Sequence, residues 1–328
     1  MITAGIDIGT KDTCVVVTDD GRIIDYLIIE DLRDFEIIRF LKDYNPIAIG
    51  CGFGYGLPIK KLSETNERDI LCLALSFDRE ILGVRRFVME LKKYFGKICY
   101  TIPSVKLLPT VPIHRKFNRI DMGTSDKVCS TALAMDKIGK IYEKMNFILV
   151  EGGFGFNSFI AVKNGKIVDG LGGSAGFISF SSSGALDLEI VSLIKEYSKN
   201  LIFNGGLKSF LNCDIENIPD YALKWLFEYI LKGIKVMEAV VGSNYDIVVS
   251  GRIFDIYWKD FEEFIGRNVF RLKSIKSSAE GASLIANGIA GGNYAKLVKQ
   301  LELDKAEGKI FDYIAEDLRK LFKYSIDC

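Results

Sequence analysis

Histidine is almost absent from this chain of 328 residues, in which His114 is the single example. Cysteine occurs seven times, but never in a C-x-x-C pair or beside a histidine. The sequence therefore lacks the ligand spacing of a zinc site or of an iron–sulfur cluster held within one short motif. A cluster shared between two subunits stays open. We interpret His114 and most of the cysteines as structural residues.

An excess of charge of either sign is also missing, since 43 basic residues balance 43 acidic ones. The sequence thus has no global field that would attract nucleic acid or an anionic membrane. No apolar run approaches the ~18 residues that a membrane span needs, and the first residues lack a basic segment followed by a signal-peptide core. We expect a soluble, cytoplasmic protein that binds a small ligand.

The length and composition predict two domains. With 48% hydrophobic residues, the 328-residue chain is long enough for two separate cores. We place the first domain at 1–140 and the second at 141–328, where the last helices could pack back on the first domain.

One pattern occurs twice: an apolar strand that ends in a carboxylate, a glycine-rich turn, and a strand hairpin. The carboxylates are Asp7 and Glu151, which lie 144 positions apart in the sequence (7 to 151). The following hairpins carry Asp20-Gly21 and Asn164-Gly165, dipeptides that supply the positive φ angles of a tight turn. The repeat predicts two similar lobes that close on one nucleotide.

The coarse pattern around each repeat predicts strands followed by alternating helices and strands. We predict strands at 2–7, 13–18, 22–29, 47–51, 146–151, 157–163, 166–169 and 245–250. We predict helices at 35–42, 79–94, 187–199, 223–241, 254–264 and 279–288, and an amphipathic packing helix over 310–322. The proline-punctuated stretch 101–112 is interpreted as extended and peripheral.

The first glycine turn has the chemistry that a nucleoside triphosphate requires. Gly9, Thr10 and Lys11 offer backbone amides, a hydroxyl and an ammonium beside Asp7, which could hold Mg²⁺ through its waters. The alternative is a tight turn that Asp7 merely caps. The second copy, with Gly152, Gly153 and Gly155 after Glu151, favours phosphate binding.

Four segments in order resemble the actin-like ATPase superfamily of sugar kinases, Hsp70 chaperones and acyl kinases. They are 5–10, 151–155, 248–252 and 279–282, and they are similar to its phosphate 1, phosphate 2, adenosine and connect 2 motifs. The resemblance implies an α/β fold with duplicated ribonuclease H-like lobes (βββαβα) and a nucleotide cleft between them. It further implies that ATP and Mg²⁺ are cofactors, that Gly251, Arg252 and Glu280 contact the nucleotide, and that Asp7 and Glu151 are metal ligands.

Within that superfamily the chain most resembles the acetate and butyrate kinase branch, in particular an archaeal family of predicted butyrate kinases. The segment 120–127 is similar to the Gly-Thr-Ser segment of acetate kinases, and 159–170 to the hairpin after their phosphate 2 loop. This resemblance implies a kinase that converts a short-chain carboxylic acid to an acyl phosphate, with Asp7, Glu151 and Asp126 as catalytic residues. A homodimer stays an open alternative.

The acceptor side departs from that pattern. Acetate kinases have a histidine where Glu151 stands and an arginine after the fourth strand, where this chain has the glycine-rich loop 52–58. We predict that Gly54 and Tyr55 of this loop contact the acceptor and that Arg115 and Arg119 replace the missing arginine. Arg85 and Arg86 are further candidates, and each arginine could instead be a solvated surface charge.

Three other functions stay open. Glu151 could act as a general base towards a hydroxyl acceptor. The chain could also be a nucleotide-binding regulatory or activator ATPase without a small-molecule acceptor, or a chaperone or filament ATPase.

Overall fold

The computed structural model describes residues 1–9, 12–30, 34–75, 83–197 and 199–322. The chain divides into two compact units. The first unit comprises Met1–Met145, Asn164–Ile167 and Ser274–Cys328, and the second comprises Asn146–Lys163 and Val168–Lys273. A division of the domains at residue 140 stays a prediction.

The strands and helices alternate as in an α/β protein. The strands are β1 (Ile2–Ile8), β2 (Thr13–Asp19), β3 (Arg22–Ile29), β4 (Ala48–Cys51), β5 (Cys99–Thr101), β6 (Phe147–Gly152), β7 (Asn157–Lys163), β8 (Lys166–Leu171), β9 (Asp246–Ser250) and β10 (Phe270–Arg271). The helices are α1 (Asp34–Tyr44), α2 (Glu67–Ala74), α3 (Gly83–Phe95), α4 (Ile113–Lys116), α5 (Ser125–Ile138), α6 (Leu188–Ser192), α7 (Leu207–Phe210), α8 (Asp220–Val241), α9 (Arg252–Ile265), α10 (Ser277–Ile289), α11 (Ala295–Gln300) and α12 (Glu316–Arg319). None of the helices in the described ranges has the length and apolar composition that crossing a bilayer demands.

The strands form two five-stranded mixed sheets with the same topology. Their orders are β3-β2-β1-β4-β5 and β8-β7-β6-β9-β10. In the first sheet β1 pairs antiparallel with β2 and parallel with β4, and in the second β6 pairs antiparallel with β7 and parallel with β9. The predicted α/β fold with a duplicated strand arrangement is confirmed.

The duplication extends to the register of the first hairpin in each sheet. Asp7 lies opposite Cys14, and Glu151 lies opposite Ser158, so both members of the pair repeat after 144 positions. The turn dipeptides Asp20-Gly21 and Asn164-Gly165 have positive φ at all four residues, as a tight hairpin between twisted strands requires. These dipeptides close the second hairpin of each sheet, between β2 and β3 and between β7 and β8.

Each sheet is covered on one face by its own hydrophobic core. In the first unit, alternate residues of β1, β2 and β4 pack with α1 and α3, as Ile6, Val15 and Leu41 illustrate. The other face of β1 lies against α10, where Gly5 leaves no room for a side chain because an added Cβ would stand 2.0 Å from the Ala279 carbonyl oxygen. In the second unit, β6 and β7 pack on α8.

Three predicted segments differ from the structure. The stretch 101–112 is neither extended throughout nor peripheral: it contains a 3₁₀ turn at Val105–Leu107, and residues 101–108 are all buried. The predicted helix over 310–322 is replaced by turns and the short α12, since Tyr313 has a left-handed backbone with φ 62°. The predicted helix at 187–199 shortens to α6 within the described residues.

Candidate functional site

The Asp7 side chain lies at the end of β1, on the sheet face that packs against α10. It is only 3% exposed. The Lys276 ammonium, directly before α10, lies 3.7 Å from one of its carboxylate oxygens and 2.6 Å from the Asp12 carboxylate. Ser278, in the first turn of α10, also hydrogen-bonds the Asp7 side chain. A buried acid is thus held between the turn after β1 and the start of a helix.

Burial raises the pKa of Asp7 to about 7, and the nearby negative charge of Asp126 adds to the rise. Lys276, the Ser278 hydrogen bond and Lys127 oppose it. A carboxyl group that titrates near neutral pH because it is desolvated is common at functional sites. A divalent cation beside it would favour the ionised form.

The glycine turn after Asp7 is closed by its own backbone. The Gly9 amide donates to the Asp12 carbonyl oxygen over 2.8 Å. In the second unit the Gly153 amide donates to the Phe156 carbonyl oxygen over the same distance. The described residues of the two turns therefore share the same backbone hydrogen bond. Thr10 and Lys11, the predicted phosphate ligands, lie outside the described residues.

Asp126 reaches the neighbourhood of Asp7 from the first turn of α5. Its carboxylate accepts a hydrogen bond from the Thr124 hydroxyl and lies 2.7 Å from the Lys127 ammonium. Its charge affects the pKa of Asp7. Asp126 is therefore near enough to Asp7 for its negative charge to raise the pKa of the Asp7 carboxyl group. A catalytic role for Asp126 stays a prediction.

The glycine-rich loop after β4 joins this group through its backbone. The Gly54 carbonyl oxygen accepts from both the amide and the hydroxyl of Ser125, each at 3.1 Å. Gly54 has φ 71°, and an added Cβ would stand 2.3 Å from the Leu73 carbonyl oxygen. Because β1 and β4 are parallel, this loop follows the same sheet edge as Asp7, which is where ligands meet open α/β sheets.

Tyr55 packs into a small cluster with Cys72, Ile310 and Phe311. Burial raises the pKa of its phenol, and Asp121 adds to the rise. The tyrosine is thus a half-buried neutral ring, and its contact with an acceptor stays a prediction.

The predicted acceptor arginines lie near each other in sequence but differ in exposure. Arg115 is half-buried in α4, whereas Arg119 is exposed and its carbonyl oxygen accepts from the Lys106 ammonium. Arg86 is paired with Asp34. Nothing in these contacts assigns an acceptor to any of them.

Glu280 is buried in α10, and its carboxylate makes a hydrogen bond within the protein. Its carboxylate accepts from the Ile275 amide over 2.6 Å, and burial raises its pKa. It thereby holds the residues that precede α10, among them Lys276. Direct contact of Glu280 with a nucleotide stays a prediction.

In the second unit, Glu151 is the penultimate residue of β6 and lies between two serines on the neighbouring strands. Ser158 on β7 and Ser250 on β9 are its register partners. The Ser158 hydroxyl is buried and has no hydrogen-bond partner among the described residues, and the same holds for the side-chain amide oxygen Oδ1 of Asn157. The Ser158 oxygen, on the same sheet face as the Glu151 carboxylate, is suited to a ligand that donates hydrogen bonds or carries positive charge.

Gly251 lies directly against the second glycine turn. It has φ 94°, and an added Cβ would stand 2.6 Å from the Gly152 carbonyl oxygen. Arg252 begins α9, is exposed, and pairs with Glu216 over 2.8 Å. The Gly155 carbonyl oxygen accepts from the Ser179 hydroxyl. The structure thus brings Gly251 against Gly152 at the end of β6.

The donor set suits Mg²⁺ bound largely through phosphates and water. The described acidic, cysteine and histidine side chains form no group of three that could hold a metal alone. Magnesium is usually bound by one or two carboxylates together with substrate phosphates. The buried Asp7, whose raised pKa a cation would reverse, fits that requirement.

Sequence reasoning missed Lys276 and Ser278. Lys276 lies one position before α10, and Lys276-Ser277-Ser278 is a polar segment at the start of an otherwise small and apolar helix. That abrupt change of composition is the signal that could have identified it.

Comparison with known proteins assigns the family. The sequence over residues 5–316 matches the family described as protein of unknown function (DUF1464). The chain belongs to this family. A comparison with curated proteins found no match.

Two solved structures share the fold of this DUF1464 protein. An acetate kinase from Entamoeba histolytica has 14% identity and a TM-score of 0.61 over 81% of this chain and 85% of its own. A propionate kinase from Francisella tularensis has 13% identity and a TM-score of 0.61 over 85% of this chain and 98% of its own. The expected fold is confirmed by these two structures. Membership of the actin-like ATPase superfamily, and of its archaeal butyrate kinase branch, stays a prediction.

Proposed function

We propose that this protein is an ATP- and Mg²⁺-dependent phosphotransferase that converts a short-chain carboxylic acid to an acyl phosphate. The observation that carries the proposal is the buried Asp7 beside Lys276 at the end of β1, in a fold shared with an acetate kinase and a propionate kinase. Phosphoryl transfer relies mainly on positioning and on charge neutralisation, which such a site supplies.

In the proposed reaction an oxygen of the acceptor carboxylate forms a bond to the γ-phosphorus of ATP. The bond between that phosphorus and the bridging oxygen breaks, and ADP leaves. Ionised Asp7 would orient the waters of Mg²⁺, and Lys276 would neutralise charge near the phosphates. Magnesium, when bound, supplies positive charge to the phosphate oxygens.

The other predicted residues have supporting roles in this proposal. Asp126 would orient water or metal from the start of α5, while Gly54, Tyr55, Arg115 and Arg119 would form the acceptor side. In the second unit we assign Glu151 as a metal or water ligand, and the amides of Gly152, Gly153 and Gly155, with Gly251 and Arg252, as nucleotide contacts. The Gly153 amide already donates to the Phe156 carbonyl oxygen, so the turn would have to change its conformation before this amide could contact the nucleotide.

The acceptor carboxylate must tolerate the negative charge of Glu151. Two like charges about 4 Å apart repel by about 4 kcal/mol at an effective dielectric constant of 20. Magnesium or one of the arginines would have to offset this repulsion. A hydroxyl acceptor, which Glu151 could deprotonate, is therefore the alternative that the test must include.

The test is ADP formation by purified protein with ATP and Mg²⁺ over a panel of short-chain acids, sugars and polyols. We expect one or more short-chain acids to raise ADP formation above background, and Asp7→Ala to abolish this increase. Stimulation by polyols alone would replace the carboxylate with a hydroxyl acceptor. Equal ATP binding and turnover by Asp7→Ala would refute the assignment.

A further inference from the structure

The first unit contains a cavity of about 240 Å³ that does not include Asp7 among its lining residues. Its walls come from two segments, Lys106 to Lys116 and Glu307 to Tyr313. Three lysines and two carboxylates line it, together with the ring of Tyr313. We call it the lysine cavity.

Two of these lysines are buried. Lys106 is 2% exposed and Lys116 is 7% exposed. The Lys106 ammonium donates to the carbonyl oxygens of Arg119 and Ile310, and the Lys116 ammonium donates to the Leu108 carbonyl oxygen over 2.9 Å. Buried lysine is rare because the ammonium loses its hydration.

These contacts leave donor capacity in each ammonium. An ammonium has three N–H groups, of which the contacts to carbonyl oxygens account for two on Lys106 and one on Lys116. The Tyr313 ring lies 5.9 Å from the Lys116 ammonium and accepts no conventional hydrogen bond. Since both side chains are shielded from bulk solvent, the remaining donors must find their acceptors inside the cavity.

The positive charge is also incompletely neutralised. Among the described residues, no carboxylate lies within 4.0 Å of either ammonium. Burial lowers the pKa of Lys106 to about 8; Asp312 opposes this shift, and Lys116 and Arg319 add to it. Glu307 and Asp312 therefore act on the lysines only at longer range, and the cavity has a surplus of positive charge.

We propose that the lysine cavity binds a small oxyanion, a phosphate or carboxylate group, through the spare N–H donors of Lys106 and Lys116. A group with several oxygens can accept from both ammonium groups at once and supplies the missing negative charge, which water does not. The volume is below the ~300–1,000 Å³ typical of drug-sized ligands. The ligand is therefore a small metabolite or inorganic ion rather than a nucleotide.

The test is an NMR titration of unmodified full-length protein carrying ¹³C-labelled lysine, with no ATP present. The probes are inorganic phosphate and acetate, and chloride at matched ionic strength is the reference. We expect at least one oxyanion to raise the pKa of Lys106 and to shift the Lys116 signal in a saturable manner. The oxyanion that saturates the lysine signals at the lower concentration shows whether the cavity prefers a phosphate or a carboxylate group.

Variants separate this site from general charge binding. Lys116→Met should weaken oxyanion binding about tenfold or more, as loss of a charged hydrogen bond predicts. Lys144→Met, which removes an exposed lysine of the same unit, should leave it unchanged. If Lys116→Met fails to fold, the titration of the wild-type protein decides.

The proposal is overturned if no oxyanion shifts the two lysine signals up to millimolar concentrations, or if chloride shifts them equally. Equal affinities of a folded Lys116→Met and of Lys144→Met would also contradict it. None of these outcomes depends on whether the protein is a kinase.

Discussion

The Lys276 ammonium lies 3.7 Å from the Asp7 carboxylate, although the two residues come from opposite ends of the sequence. The contact joins the end of β1 to the residue before α10 within the first unit. The same ammonium is closer to Asp12, at 2.6 Å. Asp7 therefore has a cationic neighbour that it shares with a second acid, and its ionisation depends on that neighbour.

Replacement of Asp7 by asparagine should change the pH dependence of stability. Burial raises the pKa of Asp7 from 3.8 to about 7, so the folded state binds more protons than the unfolded state between these values. The contribution of Asp7 to the free energy of unfolding is therefore fully present below about pH 4, and it is lost as the pH rises through about 7. At about pH 8, Asp7→Asn should be more stable than the wild type by at most about 4 kcal/mol.

Urea unfolding at about pH 5 and about pH 8 measures this difference. Lys276 keeps its partner Asp12 in the variant, so no buried cation is left alone. Asp304→Asn, which removes an exposed carboxylate of the same unit, is the matched control and should keep the pH dependence of the wild type. If the free energies of unfolding of Asp7→Asn and of the wild type differ by the same amount at both pH values, the pKa of Asp7 is not raised.

Removal of Lys276 should weaken nucleotide binding. In Lys276→Met the pKa of Asp7 rises further because its main opposing charge is lost, and less of the carboxylate is ionised at neutral pH. We expect the affinity for Mg²⁺–ATP to fall about tenfold or more, as measured by titration calorimetry. Lys296→Met removes an exposed, ion-paired lysine of the same unit and should bind as the wild type does. Equal affinities of the two variants would exclude Lys276 from the site.

Glycine at position 281 should be essential for packing of α10. An added Cβ would stand 1.8 Å from the Cys129 carbonyl oxygen on α5. Gly281→Ala should therefore cost about 3 kcal/mol or more in the free energy of unfolding, because backbone atoms must move. Gly139→Ala is the comparison, since its Cβ meets nothing within 4 Å and only the left-handed φ of 67° opposes it. If thermal unfolding shows the same loss of stability for Gly281→Ala and Gly139→Ala, the close packing of α10 on α5 is not rigid.

Glu280 should support nucleotide binding through its hydrogen bond to the Ile275 amide rather than through its negative charge. Glu280→Gln keeps an oxygen that can accept from the Ile275 amide, whereas Glu280→Ala does not. We expect the glutamine variant to keep the KM for ATP within about threefold of the wild type and the alanine variant to raise it about tenfold. Steady-state kinetics with ATP as the varied substrate distinguishes them. A glutamine variant as impaired as alanine would instead indicate a direct role for the charge.

The repeated hairpins could be predicted from sequence because their determinants are local. Asp7 and Glu151 each precede a glycine turn, and the Asp20-Gly21 and Asn164-Gly165 dipeptides define the following turns. The helix predicted at 279–288 is present as α10, and its small residue Gly281 allows close packing against α5.

The misinterpreted segments depend on contacts that are distant in sequence. The prolines of 101–112 suggested an extended, peripheral segment, yet the Lys106 ammonium donates to the Ile310 carbonyl oxygen inside the protein. The apolar stripe over 310–322 has helical spacing, but it reflects burial of Ile310 and Phe311 beside Cys72, not one continuous helix. Lys276 joins Asp7 only through the packing of α10 on β1, which no local pattern contains.

The central claim is tested most directly by trapping the product. Purified protein is incubated with ATP, Mg²⁺, a short-chain carboxylic acid and hydroxylamine, which converts an acyl phosphate to a hydroxamate and inorganic phosphate. We predict hydroxamate formation in step with ADP, dependent on ATP, and absent in Asp7→Ala. ADP formation without hydroxamate for every acid tested, or hydroxamate formation that survives in Asp7→Ala, would contradict the proposed acyl kinase.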